Sequence, residues 1–170
     1  KLLTDYPSQV VQCAEARMQI GAIKVASNDL NAAIAQFQYV ATNYCQLDIW
    51  CADALLWLGS AQRKAGRNDE ALASYAKVIS GYQAAGPERV KAMMGSAAIY
   101  EKLGRHKEAL SSEGEALWSY PGFTRQADAA KARILSLLNS ADISDNLPED
   151  TASDIRNALD HYEAVKSESA

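Results

Sequence analysis

Ten residues, GRNDEALASY at 66–75, return 38 positions later as GRHKEALSSE at 104–113. A chain that rewrites a segment at a fixed distance builds the same local structure more than once, so this repeat limits the fold more than composition does. The spacing extends well beyond the decapeptide. Tyr6, Tyr44, Tyr82 and Tyr120 fall at intervals of 38, as do Ala16, Ala54, Ala92 and Ala130, and also Ala33, Ala71 and Ala109. Gly21, Gly59 and Ala97 form a further series with one substitution. An alanine-rich composition produces some of these coincidences, but not the tyrosines, the glycines and the shared G-R-x-x-E-A-L together.

Inside one unit the apolar period is helical. Leu55, Leu58 and Gln62 leave one face mixed, while Leu58, Ala61 and Ala65 continue a stripe, and a second stripe runs through Ala71, Leu72, Tyr75, Val78, Ile79 and Tyr82. Between the stripes, Gly66 stands where a helix ends in a left-handed cap. Asn68 or Asp69 is then the expected cap of the next helix, with acids in its first turn. The unit is therefore a helix, a tight turn and a second helix. Gly59 opposite Ala71 is expected to let the two backbones approach, as are Gly21 with Ala33 and Ala97 with Ala109.

One hairpin cannot bury both of its faces, so successive pairs must stack, and a constant small rotation turns the stack into a right-handed solenoid. The periodicity predicts pairs at 8–26 with 29–43, 47–65 with 68–83, and 87–103 with 106–119, then a fourth starting at 124–139. In the last pair Ala158 and Tyr162 match Ala109 and its neighbours only after about eleven extra residues, SADISDNLPED, which are polar and contain proline and so predict a loop. Pro148, Glu149, Asp150 and Thr151 suit the start of the final helix. The expected organisation is one all-α repeat domain over residues 1–170. Residues 1–7 read as the tail of a preceding repeat, the repeats span about 8–45, 46–83, 84–121 and 122–166, and a loop is inserted at about 140–150. The opening KLLTDYP reads as a helix already under way, so a fragment of a longer protein is expected.

Trp57-Leu58-Gly59 followed by Gly66, Ala71, Tyr75 and Val78, then residues 95–100, Gly104, Ala109, Ala116 and Pro121, resembles the tetratricopeptide repeat. The resemblance covers about 8–139 well and the last helix loosely. Tyr6-Pro7 and Tyr120-Pro121, at repeat ends, resemble the variant of bacterial cell-envelope proteins such as outer-membrane assembly lipoproteins and the accessory protein of the Tol-Pal system. The sequence departs from the family pattern at Asn28, in place of the turn glycine, at Glu113, in place of an aromatic, and at Gln83, in place of proline.

The resemblance implies a protein-binding scaffold whose first helices line a concave groove. Met18, Leu56, Met94 and Ala132 are repeat equivalents that would form an apolar stripe there or, alternatively, ordinary core between repeats. Trp57 would add a flat contact surface or pack between repeats, and Arg63, Lys64, Lys91 and Lys102 would form a basic rim or a solvated face. The clamp by which chaperone-binding members hold a terminal carboxylate is not expected, because its five places carry Met18, Ala22, Trp57, Lys91 and Gly95, of which one fits.

A net charge of -4 and a pI near 5.2 argue against a nucleic-acid surface, and no apolar run is long enough to span a membrane. Catalysis and bound cofactors or metals are not expected. His106, in a predicted turn, and His161, on the last helix, have no partner at metal-ligand or nucleophile spacing, and Glu108 and Glu113 read as one solvated face. The glycines lie outside any phosphate-loop pattern. Cys13, Cys45 and Cys51 read as small buried or half-buried thiols, with a Cys45 to Cys51 disulfide as the alternative that requires an oxidising compartment. The leading expectation is thus a non-catalytic scaffold for a protein or peptide partner in a bacterial envelope or periplasmic complex. The alternatives are a solenoid that self-assembles through its end repeats and a cytoplasmic regulatory domain.

Overall fold

The computed structural model describes residues 7–44, 48–122 and 124–168, and all regular structure among them is helical. Two compact units divide the chain, Lys1–Glu88 and Arg89–Ala170. In the first, α1 (Pro7–Ala26), α2 (Leu30–Asn43), α3 (Asp48–Lys64) and α4 (Asn68–Gly81) each pack on their neighbour in sequence, and α1 also touches α3. The second begins inside α5 (Gly86–Lys102) and continues with α6 (His106–Ser119), α7 (Thr124–Leu138), a short α8 (Ala141–Ser144) and α9 (Glu149–Glu168). There α6 packs on α7 and on α9, while α7 touches α8 and α9. Helices stacking on their sequence neighbours are the packing of a tetratricopeptide-like array, as the period of 38 predicts.

The turns show why the period is written in glycine. Asn28, Gly66 and Gly104, each 38 apart, have φ of 59°, 78° and 70°, the left-handed conformation that closes a helix. Each is followed by an amide that reaches back five residues: Asp29 to the Lys24 carbonyl at 2.8 Å, Arg67 to Gln62 at 2.9 Å and Arg105 to Tyr100 at 2.8 Å. Asn28 therefore does the work of the missing glycine, since asparagine tolerates this region better than other side chains. The tyrosine series marks the other end of each pair. Tyr44, Tyr82 and Tyr120 cap the second helices, their amides donating to Val40, Val78 and Ala116.

The helix starts fall where the periodicity predicts, but the capping residues differ from expectation. Asp29 caps α2, its carboxylate accepting from the Ala32 amide at 3.4 Å, but α4 and α6 begin after Arg67 and Arg105, which make no side-chain cap. Asn68 is already helical and caps nothing. Arg105 instead pairs with Glu108 at 2.7 Å, one turn on, and Arg67 donates to Asn31 of the preceding repeat at 2.6 Å, so the side chain links two turns.

Close approach within a pair also arises differently from the expected glycine-to-alanine contact. A Cβ on Gly21 would lie 2.5 Å from the Phe37 ring, and one on Gly59 would lie 2.6 Å from the Tyr75 ring. Each glycine is the notch that seats an aromatic ring of the partner helix, while Ala33 and Ala71 are buried. In the second unit Ala109, Leu110, Leu117, Ala127, Ile134, Ile155, Ala158 and Tyr162 form one core. The expected loop at 140–150 is partly anchored rather than purely polar. It contains α8, and Ile143 and Leu147 pack against that core.

Candidate functional site

In the first unit α1 and α3 carry Met18 and Leu56 at equivalent places, and both are only 8% exposed. The side chain open to solvent is the next one along α3. Trp57 is 41% exposed and stacks on Phe37 of α2, with ring centroids 6.0 Å apart and planes 28° from parallel. Trp57 thus combines the two sequence expectations, packing between repeats on one face and offering the other. Arg63 is half-buried, with Nε shielded and unbonded among the described residues, and Lys64 is exposed at the end of α3. In the second unit Met94 on α5 is half-buried, Lys91 and Lys102 on the same helix are exposed, and Ala132 on α7 is exposed.

A buried charged joint replaces the aromatic one in the second unit. Glu113 and Arg133 stand 76 residues after Phe37 and Trp57, two repeat lengths in each case, so they occupy the same two places. Glu113 is 1% exposed, which overturns its expected place on a solvated face. Its Oε1 lies 3.1 Å from Arg133 Nε, and the other end of the guanidinium donates to Glu101 Oε2 at 2.8 Å. Neither Glu113 oxygen makes a well-aligned hydrogen bond among the described residues. Burial therefore pushes the Glu113 carboxyl up to about 7, against the pull of Arg133 and with the help of the Glu101 charge. Ala97, in place of Gly21 and Gly59, is consistent with the change, since with Glu113 at the ring position no notch for an aromatic is required. Glu108 keeps its surface position, and its hydrogen bond from Arg105 holds the carboxyl below the usual range.

At the end of the second unit the Tyr162 hydroxyl donates to Asp128 at 2.5 Å and Lys166 pairs with the same carboxylate at 2.8 Å, holding Asp128 below its usual range. Lys131 pairs with Glu163. These groups tie α9 to α7.

Cys51 is fully buried and disulfide-bonded, so the reading of three free thiols is corrected there. Cys45, its expected partner, lies outside the described residues. Cys13 is a free thiol but exposed, not buried. Among the described residues no three His, Cys, Asp or Glu side chains come together as a metal site, and no helix is long and apolar enough to cross a membrane. His106 opens α6 half-buried, and His161 lies against Trp118, with ring centroids 4.5 Å apart. Trp118 went unremarked in the sequence, although the repeat marks it: the two earlier second helices carry Thr42 and Ser80 at that place.

Helix pairs stacked in sequence, left-handed turns at a constant period and glycine notches filled by aromatic rings are all now in place for α3 and α4. Residues 53–83 match the tetratricopeptide repeat model. The matched segment runs from the second turn of α3 past the end of α4, so it holds Leu56, Trp57, Arg63 and Lys64 on its first helix. No curated protein matches the chain.

Proposed function

We propose that this chain is a non-catalytic scaffold that binds a partner protein or peptide along the first helices of its repeats. The observation that carries the reading is the tetratricopeptide match on α3 and α4, together with a Trp57 indole left open on the matched first helix. An exposed indole is costly to leave in water and well suited to a contact surface. Met94, half-buried and deformable, is the apolar contact, and Lys91, Lys102, Arg63 and Lys64 favour an acidic amphipathic ligand. The disulfide at Cys51 supports an oxidising compartment, hence a periplasmic or envelope-associated place over a cytoplasmic one.

Capture of partners from lysate of the source organism by wild type and by Met94→Glu tests this reading. Loss of a specific partner from the variant is the expected result, and equal capture by both sinks the groove. A second reading, self-association, is favoured by α1. Ile23 is 66% exposed and Ile20 is also exposed, whereas their repeat equivalents Ala61 and Leu58 are buried. Sedimentation equilibrium that returns the 18.4 kDa monomer at every concentration removes it.

A further inference from the structure

Between α6 and α9 lies a hollow of about 320 Å³. Gly114, Ile155 and Ala158, all buried, form its floor, and Glu115, Trp118 and Asp154, all exposed, form its rim. The floor exists because Gly114 has no side chain: a Cβ there would meet Ile155 Cδ1 at 2.6 Å. The repeat shows that this hollow is not ordinary packing. Where α6 has Gly114, Glu115 and Trp118, α2 has Gln38, Tyr39 and Thr42, and α4 has Ala76, Lys77 and Ser80. An indole has taken the place of a small hydroxyl side chain, and a carboxylate that of a tyrosine or a lysine.

The core does not use this indole. Trp118 is 53% exposed, held by a tilted contact with the His161 ring and otherwise open to the hollow and to solvent. Among the described residues neither Glu115 nor Asp154 forms an ion pair. A flat aromatic wall, an apolar floor and two uncompensated carboxylates on one rim are complementary to a planar cation on an apolar stem. We propose that this hollow seats an arginine side chain of a partner protein, with the guanidinium against Trp118 and paired with Glu115 and Asp154. Guanidinium is weakly hydrated, stacks on aromatic faces and presents forked donors to carboxylates, which a lysine ammonium does not. The volume lies near the lower end for small-ligand pockets, about 300 Å³, and so suits one side chain with its stem.

The proposal deepens the protein-binding reading and rests on it, but uses a different face. Its test is a titration of the intact chain with acetyl-Gly-Arg-Gly-amide, following the Trp118 indole N–H by NMR. A saturable shift is expected, weakening as salt is raised. The same peptide with neutral citrulline in place of arginine should bind at least about fivefold more weakly, as should the arginine peptide to Glu115→Gln/Asp154→Asn. Both carboxylates are exposed, so that variant keeps its fold, and an unchanged amide spectrum elsewhere confirms it. Trp118→Ala, read at the Gly114 and Asn157 amides, should lose about threefold or more. No saturable response to the arginine peptide, equal binding of the citrulline peptide, or equal binding of a lysine peptide each overturns the proposal. The Met94→Glu capture experiment does not involve Trp118, so the two readings fail separately.

Discussion

Three glycines of this chain answer to three different physical demands, and alanine substitution separates them. Gly59→Ala puts a methyl 2.6 Å from the Tyr75 ring, which is only 1% exposed, and should cost about 1–3 kcal/mol. Gly66→Ala meets nothing within 4 Å, yet at φ 78° it should still lose about 1–2 kcal/mol, because its Cβ opposes the left-handed turn. Gly81→Ala, in open space with ordinary backbone at the end of α4, should be neutral or gain a few tenths, about 0.3 kcal/mol. Urea midpoints at constant slope check all three. A loss at Gly81 equal to that at Gly59 would remove the notch as the explanation.

At the scale of helices, the joint between one pair and the next is written in two chemistries. Phe37 with Trp57 is an aromatic stack, and Glu113 with Arg133 is a buried ion pair at the same places. The second has a pH dependence. The Glu113 carboxyl is raised in the folded chain from 4.5 to about 7, so protonated Glu113 is the better-tolerated form. Its contribution is fully present below about 4.5 and is lost as pH rises through about 7, a change of up to about 3 kcal/mol. Unfolding midpoints of wild type should therefore fall between pH 5 and pH 8, on the order of this range, and Glu113→Gln should flatten the profile. A profile that Glu113→Gln leaves unchanged assigns the dependence elsewhere.

Restoring the aromatic joint is the second test at this scale. The triple change Ala97→Gly, Glu113→Phe, Arg133→Trp should be neutral or stabilising, since well-packed apolar side chains commonly replace a buried ion pair without loss. Arg133→Ala alone should cost about 3–5 kcal/mol above pH 8, where it leaves a buried carboxylate unpaired. Calorimetry of the two variants distinguishes a joint that tolerates either chemistry from one that requires charge.

Across the whole molecule the two units carry different fastenings. The first has the disulfide at Cys51, next to the α2 and α3 packing, and the second has ion pairs that tie α9 to α7. Reductant should lower the stability of the first unit by about 1–3 kcal/mol and leave the second unchanged. Hydrogen exchange by mass spectrometry reads this directly: protection should fall in α2 and α3 on reduction while α6 and α9 keep theirs. Equal loss in both units would mean that they unfold as one.

The sequence by itself determined the helix pairs and their ends, because those depend on local chemistry that repeats every 38 residues. Gly66 and Gly104 announce left-handed turns, Tyr44, Tyr82 and Tyr120 close second helices, and the apolar stripes fix which face is buried. The departures from the period were also legible as departures: Asn28, Glu113, and Trp118 where small residues precede it. Their meaning was not. Whether Glu113 is solvated or buried depends on an arginine twenty positions further on, and whether Trp118 packs or stands open depends on α9, which reaches it only after the inserted segment. Met18 and Leu56 read in sequence as either a surface stripe or core between repeats, and the fold leaves both mostly covered, because a first helix meets neighbours that its own spacing does not reveal. Periodicity reports what each residue does within its helix; only the tertiary structure brings in the side chains of other helices, and those decide burial, charge and exposure.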